Sequence, residues 1–487
     1  MNTPLRKVGV AMLVMVTLLL ANATYIQVFK ADAYRTDPRN SRVLYDEYSR
    51  QRGQIVAEDG KVLAGVTPSN DKFRFTRSYS DGPLYAPVTG YYSVRYGAGG
   101  MDRAEDQILN GSDPRLFVRR LSDMITGRDP RGGNVQLTIN PAVQQAAYNL
   151  MVQRGYTGSV VAMDPKTGHI LAMVSTPSYD PNQLASHDGT VQEKAWTGFV
   201  NDTKNPMLNR GIQEIYPPGS TFKLITAAAA LQDGIGPDTP INPAPNVQLP
   251  GTQTTLENYG GAPCAGNTFK DALAHSCNVP FAEFAGKLGK DKLNATARNF
   301  GVGVDLTLPM RVAASTLGPL DSTAALYQSG IGQRDVQLTP LQDCLLAATV
   351  ANGGMAMQPQ LVQALLAPNL STIESFRSQE LTGQAALSSS NAAILRDMMI
   401  ASENFTKGAG KRPNVQIASK TGTAEHGTDP KNTPPHAWYT GFAPAMDPKI
   451  AVSVIVESGG NRGLDATGGT VAAEIGRAAI NALVGGG

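Results

Sequence analysis

Three short groups of residues have types and spacings that could act together chemically. The first is Ser220-Thr-Phe-Lys223, led in by Tyr216-Pro-Pro-Gly219 and followed by Leu224-Ile-Thr-Ala-Ala-Ala-Ala-Leu231. Two prolines and a glycine stop the preceding structure and start a helix, and the Ala/Leu run that follows is apolar enough to be buried. The pattern predicts a serine in the first turn of a core helix, with Lys223 on the same face. Burial disfavours a charged ammonium, and a neutral lysine beside a serine is a base beside a nucleophile. The competing reading is an N-terminal helical serine with a lysine that lays its stem on apolar surface and keeps its head in water. Taken alone, the stretch does not choose between them. Ser69-Asn-Asp-Lys72 has the same spacing, but it sits among loop-forming residues with no apolar run after it, and it reads as a solvated turn.

The second group, Ser276-Cys277-Asn278, lies between the helix-like Phe269-Lys-Asp-Ala-Leu-Ala274 and Pro280, which predicts a tight turn between helices. A simple helix cap would look the same, and Ser-x-Asn recurs at Ser389 and Ser402. The third group is Lys420-Thr421-Gly422-Thr423, preceded by the strand-like Val415-Gln-Ile-Ala-Ser419. Here Gly422 is expected to leave the strand edge open to the close approach of a ligand. Lys166-Thr-Gly168 repeats part of this pattern inside a hairpin turn. His426 and His436 read as loop residues, because a lysine base needs no histidine partner.

These groups need a frame. Arg52 to Leu63 reads as a hairpin turning at Asp59-Gly60, and Gly158 to Val174 as a second hairpin around Asp164-Pro-Lys-Thr-Gly168. Asn140 to Met151 is helical, with Pro141 in its first turn. A helical, Ala-rich middle runs from Phe222 to Leu346, strands return at Trp438–Phe442 and Ile450–Val456, and Val471–Val484 is again helical. Strands, helices, strands and a closing helix describe an α+β fold, an antiparallel sheet flanked by helices. Arg128-Asp-Pro-Arg-Gly-Gly133 is the expected seam with what precedes. Residues 425–435 are polar, link the Lys420 strand to the Trp438 strand, and are expected to form a mobile lip over the cleft.

A chain of 487 residues has room for two or three domains. Its net charge of +2, with no basic aromatic patch, gives no sign of a nucleic-acid partner. Val8 to Phe29 carries no charge, follows Arg6-Lys7 and precedes Lys30, which is long enough to cross a bilayer with the N-terminus inside. Ala21-Asn-Ala23 resembles a signal cleavage site, but apolar character resumes at Tyr25–Phe29, so a retained anchor is the preferred reading. Three cysteines match no metal spacing. Cys264 and Cys277 can pair in an oxidising compartment or stay as buried thiols, and Cys344 reads as core.

With the three groups in this order and setting, the chain resembles the penicillin-recognising serine acyltransferases. The stretches Tyr216–Lys223, Arg52-Gly-Gln-Ile-Val56, Gly330-Ile-Gly-Gln333 with Thr339-Pro-Leu-Gln342, and Ala437–Pro444 are similar to those of a class B penicillin-binding protein, in its short actinobacterial cell-division form. The resemblance implies a penicillin-binding, serine β-lactamase-like transpeptidase domain over 135–487, a smaller non-catalytic α/β pedestal over 30–134 and a membrane anchor within 1–29. It implies that Ser220 attacks peptidoglycan stem peptides ending in D-Ala-D-Ala, with Lys223 as base and Ser276 as proton relay. Asn278 would hold the donor amide, Lys420, Thr421, Gly422 and Thr423 the terminal carboxylate, and the backbone N–H groups of Ser220 and Thr423 the oxyanion. It further implies no metal or cofactor, covalent inhibition by β-lactams, an extracytoplasmic catalytic domain on the bacterial plasma membrane, and a RodA/FtsW-type glycosyltransferase with other divisome proteins as partners. No position is marked as a deacylating glutamate. A D,D-carboxypeptidase or a β-lactam-binding sensor on the same site are the alternatives.

Overall fold

The computed structural model describes residues 2–31, 34, 45, 48–117, 125–126 and 131–485; residues 128–130 of the expected seam lie outside them. The first element is the Asn2–Thr24 helix, extended by a wider turn over Tyr25–Phe29. Its 27-residue stretch Thr3–Phe29 is long and apolar enough to cross a membrane, and none of it is buried against the rest of the chain.

Six strands then share one sheet in the spatial order 372–375, 362–366, 134–137, 55–56, 62–68 and 75–79. Ile55–Val56 runs parallel to Asn134–Leu137, and the other neighbours are antiparallel. The hairpin expected around Asp59-Gly60 is present, with Ile55 opposite Ala64 and Gly60 at φ 85°. A buried carboxylate ties this sheet to the helices beside it. Arg52 Nε donates to Asp102 Oδ1 at 2.8 Å, Arg77 Nε to Asp102 Oδ2 at 3.1 Å and the Tyr79 hydroxyl to the same oxygen at 2.6 Å. Burial alone would raise the Asp102 carboxyl, but Arg77, Arg52 and Tyr79 hold it below the usual carboxylate range.

The second sheet has five antiparallel strands in the order Ala418–Ala424, His436–Ala443, Ile450–Val456, Gly158–Met163 and Ile170–Thr176. Successive side chains on a strand point to opposite faces, and here both faces are covered. Val161, Met163, Phe442 and Ala451 enter a core shared with the helices Lys223–Gln232 and Pro340–Ala351. Val160, Ala162, Tyr439 and Val452 enter a second core under the helices Pro141–Arg154 and Ala473–Val484. Burial on both sides explains why these strands read as unbroken apolar runs. The architecture is therefore the antiparallel sheet flanked by helices that the sequence implies. It departs from expectation in detail. The helical middle contains a two-stranded ribbon, Asn246–Gln248 with Thr255–Glu257, and His436 opens a strand and is buried, where the sequence suggested a loop residue. Ser69 to Lys72 forms the turn predicted for it, closed by the Ser69 N–H on the Arg74 carbonyl at 2.7 Å.

Candidate active site

Pro217 and Pro218 keep a helix from running in from upstream, and Gly219 adopts φ 55°. Ser220 lies in a 3-10 turn, Gly219–Phe222, and the α-helix starts at Lys223. The expected first turn of the core helix is therefore wound as a 3-10 turn. The tighter winding eclipses residues i and i+3, so it still sets Ser220 and Lys223 on one side of the chain. Ser220 is half-buried and Lys223 fully buried.

Lys223 reaches the turn between the Phe269–Ala274 and Asn278–Asn299 helices, where Ser276 sits at φ 59°. Its Nζ donates to the Ser276 carbonyl at 2.7 Å and to Asn278 Oδ1 at 2.8 Å, and lies 3.5 Å from Ser276 Oγ. Lys420, fully buried on the edge strand, donates from the other side to Ser276 Oγ at 2.7 Å and to the Thr421 carbonyl at 2.8 Å. Ser276 Oγ thus lies between the Nζ atoms of two lysines. Burial, and then the charge of Lys420, drive Lys223 well below the ordinary lysine range. Burial alone brings Lys420 down to about 7. The arrangement sets a buried lysine amine with a lowered affinity for protons beside the Ser276 hydroxyl, on the side of the chain that carries Ser220, which suits nucleophilic acyl transfer with lysine as base.

The strand edge and the serine turn are in contact. A Cβ added to Gly219 would lie 2.7 Å from the Thr423 carbonyl oxygen, so the backbones of Gly219 and Thr423 run close together. Gly422 also serves the serine turn. A side chain there would meet the Pro218 carbonyl at 2.7 Å and the Trp438 Cβ at 3.0 Å, so its absence lets the serine turn dock on the strand. Thr421 and Thr423 are half-buried beside it. Asn278 uses both ends of its amide, since Nδ2 donates to the Glu257 carbonyl at 2.7 Å while Oδ1 accepts from Lys223.

The serine turn, the Ser276 turn and the Lys420 strand therefore pack together, and comparison with known proteins shows the family. A family model described as the penicillin binding protein transpeptidase domain matches residues 158–481, and one described as the penicillin binding protein A dimerisation domain matches residues 52–135. The chain belongs to the penicillin-binding transpeptidases. It is 56% identical to the peptidoglycan D,D-transpeptidase PbpA of Mycolicibacterium smegmatis over 492 aligned residues, covering 99% of each chain. Against PbpA of Mycobacterium tuberculosis H37Rv it is 52% identical, again over 99% of each. The structure of penicillin-binding protein A from M. tuberculosis as a penicillin G acyl-enzyme complex superposes with a TM-score of 0.86 at 51% identity, covering 89% of this chain and all of that one. The corresponding ceftriaxone acyl-enzyme gives 0.88 at 51% identity, covering 90% and 100%.

The supports of the serine turn and the Ser276 turn come from far along the chain. Tyr216 exchanges two backbone bonds with Leu338, both 2.9 Å, and the Gly219 N–H donates to the Gly332 carbonyl at 2.9 Å. The motif stretches around Gly332 and Thr339 are thus the shelf on which the serine turn rests. From the sheet, Trp438 Nε1 donates to the Pro217 carbonyl at 3.0 Å. Glu457 Oε1 accepts from Arg210 Nε and from the Tyr216 hydroxyl, each at 2.7 Å. Asn258, at the end of the unforeseen ribbon, accepts through Oδ1 from the Asn278 N–H at 2.7 Å and the Val279 N–H at 3.0 Å, so it caps the helix that carries Asn278. The loop over 425–435 folds back on itself, with the His426 ring stacked on that of His436 at 3.7 Å.

Cys264 and Cys277 form a disulfide with Cα atoms 5.5 Å apart, and Cys344 is a free, buried thiol. Cys277 stands between Ser276 and Asn278, so the bridge clamps the Ser276 turn to the loop that follows Asn258. A C264S/C277S double variant should unfold at lower denaturant, losing roughly 2–3 kcal/mol by the loop-closure argument. Equilibrium unfolding without reductant measures this, and an unchanged midpoint would show that the bridge adds no stability.

The lysines also make stability depend on pH. Lys420 titrates at about 7 in the folded protein and near ~10.4 when unfolded, so between those values the unfolded chain binds more protons. Stability should therefore rise with pH across this window, by at most about 1.4 kcal/mol per unit for one group. Below about 7 the Lys420 contribution is flat. A K420M variant should show a shallower rise, as read from unfolding midpoints between pH 7 and 10.

Proposed function

We propose that this chain crosslinks peptidoglycan stem peptides by D,D-transpeptidation through an acyl-enzyme on Ser220. The observation that carries this reading is the buried Lys223 amine, its affinity for a proton lowered by burial and by Lys420, bonded to the Ser276–Asn278 turn. The Ser220 hydroxyl oxygen bonds to the carbonyl carbon between the two D-alanines, and its proton passes to Lys223. The backbone N–H groups of Ser220 and Thr423 stabilise the oxyanion. The C–N bond then breaks, and Ser276 hands the departing D-alanine the proton it needs. Lys420, Thr421 and Thr423 receive the terminal carboxylate. Asn278 holds the donor amide through its Nδ2, which must first exchange the Glu257 carbonyl for the ligand. An amine from a neighbouring stem peptide attacks the ester, forms the new amide and restores the Ser220 hydroxyl. β-Lactams react with the same serine and stay attached.

The N-terminal helix supports a single-pass anchor on the bacterial plasma membrane, with everything after Lys30 extracytoplasmic. Residues 30–134 then form a pedestal that carries the 135–487 catalytic domain outward. A RodA/FtsW-type polymerase is the partner this arrangement calls for, because crosslinking needs newly made glycan. The test uses the full chain in detergent with a D-Ala-D-Ala stem peptide, an amine acceptor and labelled penicillin. Crosslinked dimer and a penicillin adduct lasting many minutes are expected. Release of D-alanine with water as the only acceptor would make the protein a carboxypeptidase. Penicillin adducts that hydrolyse within seconds would overturn the transpeptidase reading.

A further inference from the structure

The mechanism above does not use a buried ion pair on the far side of the Lys420 strand. Glu403 ends the Ser389–Phe405 helix, which packs along the edge strand Ala418–Ala424, and it is 5% exposed. Arg477, on the closing helix, is fully buried. Arg477 Nε donates to Glu403 Oε1 at 2.8 Å, and its other nitrogens donate to the carbonyls of Thr406, Lys407, Gly408 and Ala409 at 2.7–3.2 Å. The other carboxylate oxygen, Oε2, accepts from the Ser419 hydroxyl and, at 3.3 Å, from the Tyr439 hydroxyl. Ser419 directly precedes Lys420, and in a strand neighbouring side chains point to opposite faces. One residue of the strand is therefore anchored to a buried carboxylate while the next reaches into the cleft.

An edge strand has only one neighbour to fix it, and here that neighbour is the Trp438 strand. We propose that Glu403 is a positioning residue for Lys420, holding the edge strand through Ser419 so that Lys420 Nζ stays within reach of Ser276 Oγ, while Arg477 compensates the buried carboxylate. A buried charge is tolerated only when paired and hydrogen-bonded, and Arg477 provides the pair. The inference rests on the proposed roles of Lys223 and Lys420. Around Lys223 stand Ser276, Asn278, the Phe281 ring at 5.5 Å and Lys420, and of these Lys420 is the one that carries a charge, below about pH 7. If the strand drifts and Lys420 withdraws, Lys223 regains part of its affinity for a proton. Acylation then needs higher pH.

Truncating Glu403 or Arg477 would leave a buried charge unpaired and risk unfolding, so the decisive variant is Ser419→Ala, which removes one bond and leaves the ion pair intact. Penicillin acylation by the full chain in detergent is followed from pH 5 to 9, with Y439F as control and K420A as reference. The rising limb of the S419A profile should move up by about one pH unit, equivalent to a tenfold slower reaction on that limb. Y439F should follow wild type, since its loss leaves the Ser419 link in place. An S419A profile that superposes on wild type, while K420A shifts, overturns the positioning role. No shift in K420A overturns the underlying assignment of Lys420. A shift in Y439F equal to that in S419A would mean that general loosening of the cluster, and not the Ser419 link, moves Lys420, and would also overturn the proposal.

Discussion

An S220A variant is expected to form no covalent adduct with penicillin and to lose stem-peptide crosslinking, by on the order of a millionfold where a residual rate can be measured. The size of the effect follows from the position of the serine. Ser220 is the half-buried hydroxyl of a turn pinned on three sides, by Gly332, by the Trp438 side chain on Pro217, and by the edge strand against Gly219. Removing one oxygen disturbs none of these contacts, so the variant should fold and melt like wild type. That makes the comparison clean. Gel labelling with a fluorescent penicillin, alongside thermal unfolding, reads both quantities. Labelling of S220A at the wild-type rate would move the nucleophile elsewhere, and Ser276 would be the next serine to examine.

Replacing Lys223 with alanine should slow acylation by roughly a thousandfold or more, the range expected when a positioned general base is lost. The pH dependence gives this a second signature. Lys223 is held well below the ordinary lysine range by burial and by Lys420, and it acts as the neutral amine. Wild-type acylation should therefore fall as pH drops through this lowered value and the amine is protonated. In K223A that limb should disappear from whatever rate remains. Folding should survive the change, because removing a desolvated amine relieves a cost even as it leaves the Ser276 carbonyl and Asn278 Oδ1 without a donor. Retention of the limb in K223A would assign it to another group.

Much of the site was legible because its chemistry is packed into three short stretches, each with a structural signature of its own. Proline and glycine before Ser220, a turn between helices at Ser276 and an apolar strand before Lys420 all act locally, and local signals survive in a sequence. The two central hairpins and the flanking helices were legible for the same reason. What could not be read depends on contacts made far along the chain. Val362–Leu366 and Thr372–Ser375 complete a sheet begun at Ile55, although nothing near them in sequence names that partner. Asn258 caps the Asn278 helix from a ribbon whose strands have three residues each, too short to show a period. Glu403 and Arg477 lie 74 residues apart and look like ordinary helical charges until the fold buries them together. Gly422 shows a subtler limit. The sequence suggested that a side chain would be excluded there for the sake of a ligand, and it could not show that the Pro218 carbonyl of the serine turn excludes one as well.

The central claim is that Ser220, served by Lys223, is the residue that becomes acylated. Mass spectrometry of the full chain after penicillin treatment, followed by proteolysis, tests it directly. One adduct of intact penicilloyl mass is expected, on the peptide that contains Tyr216 to Lys223, with Ser220 as the modified residue. An adduct on the peptides bearing Ser276 or Ser69, or no adduct on a folded protein, would contradict it.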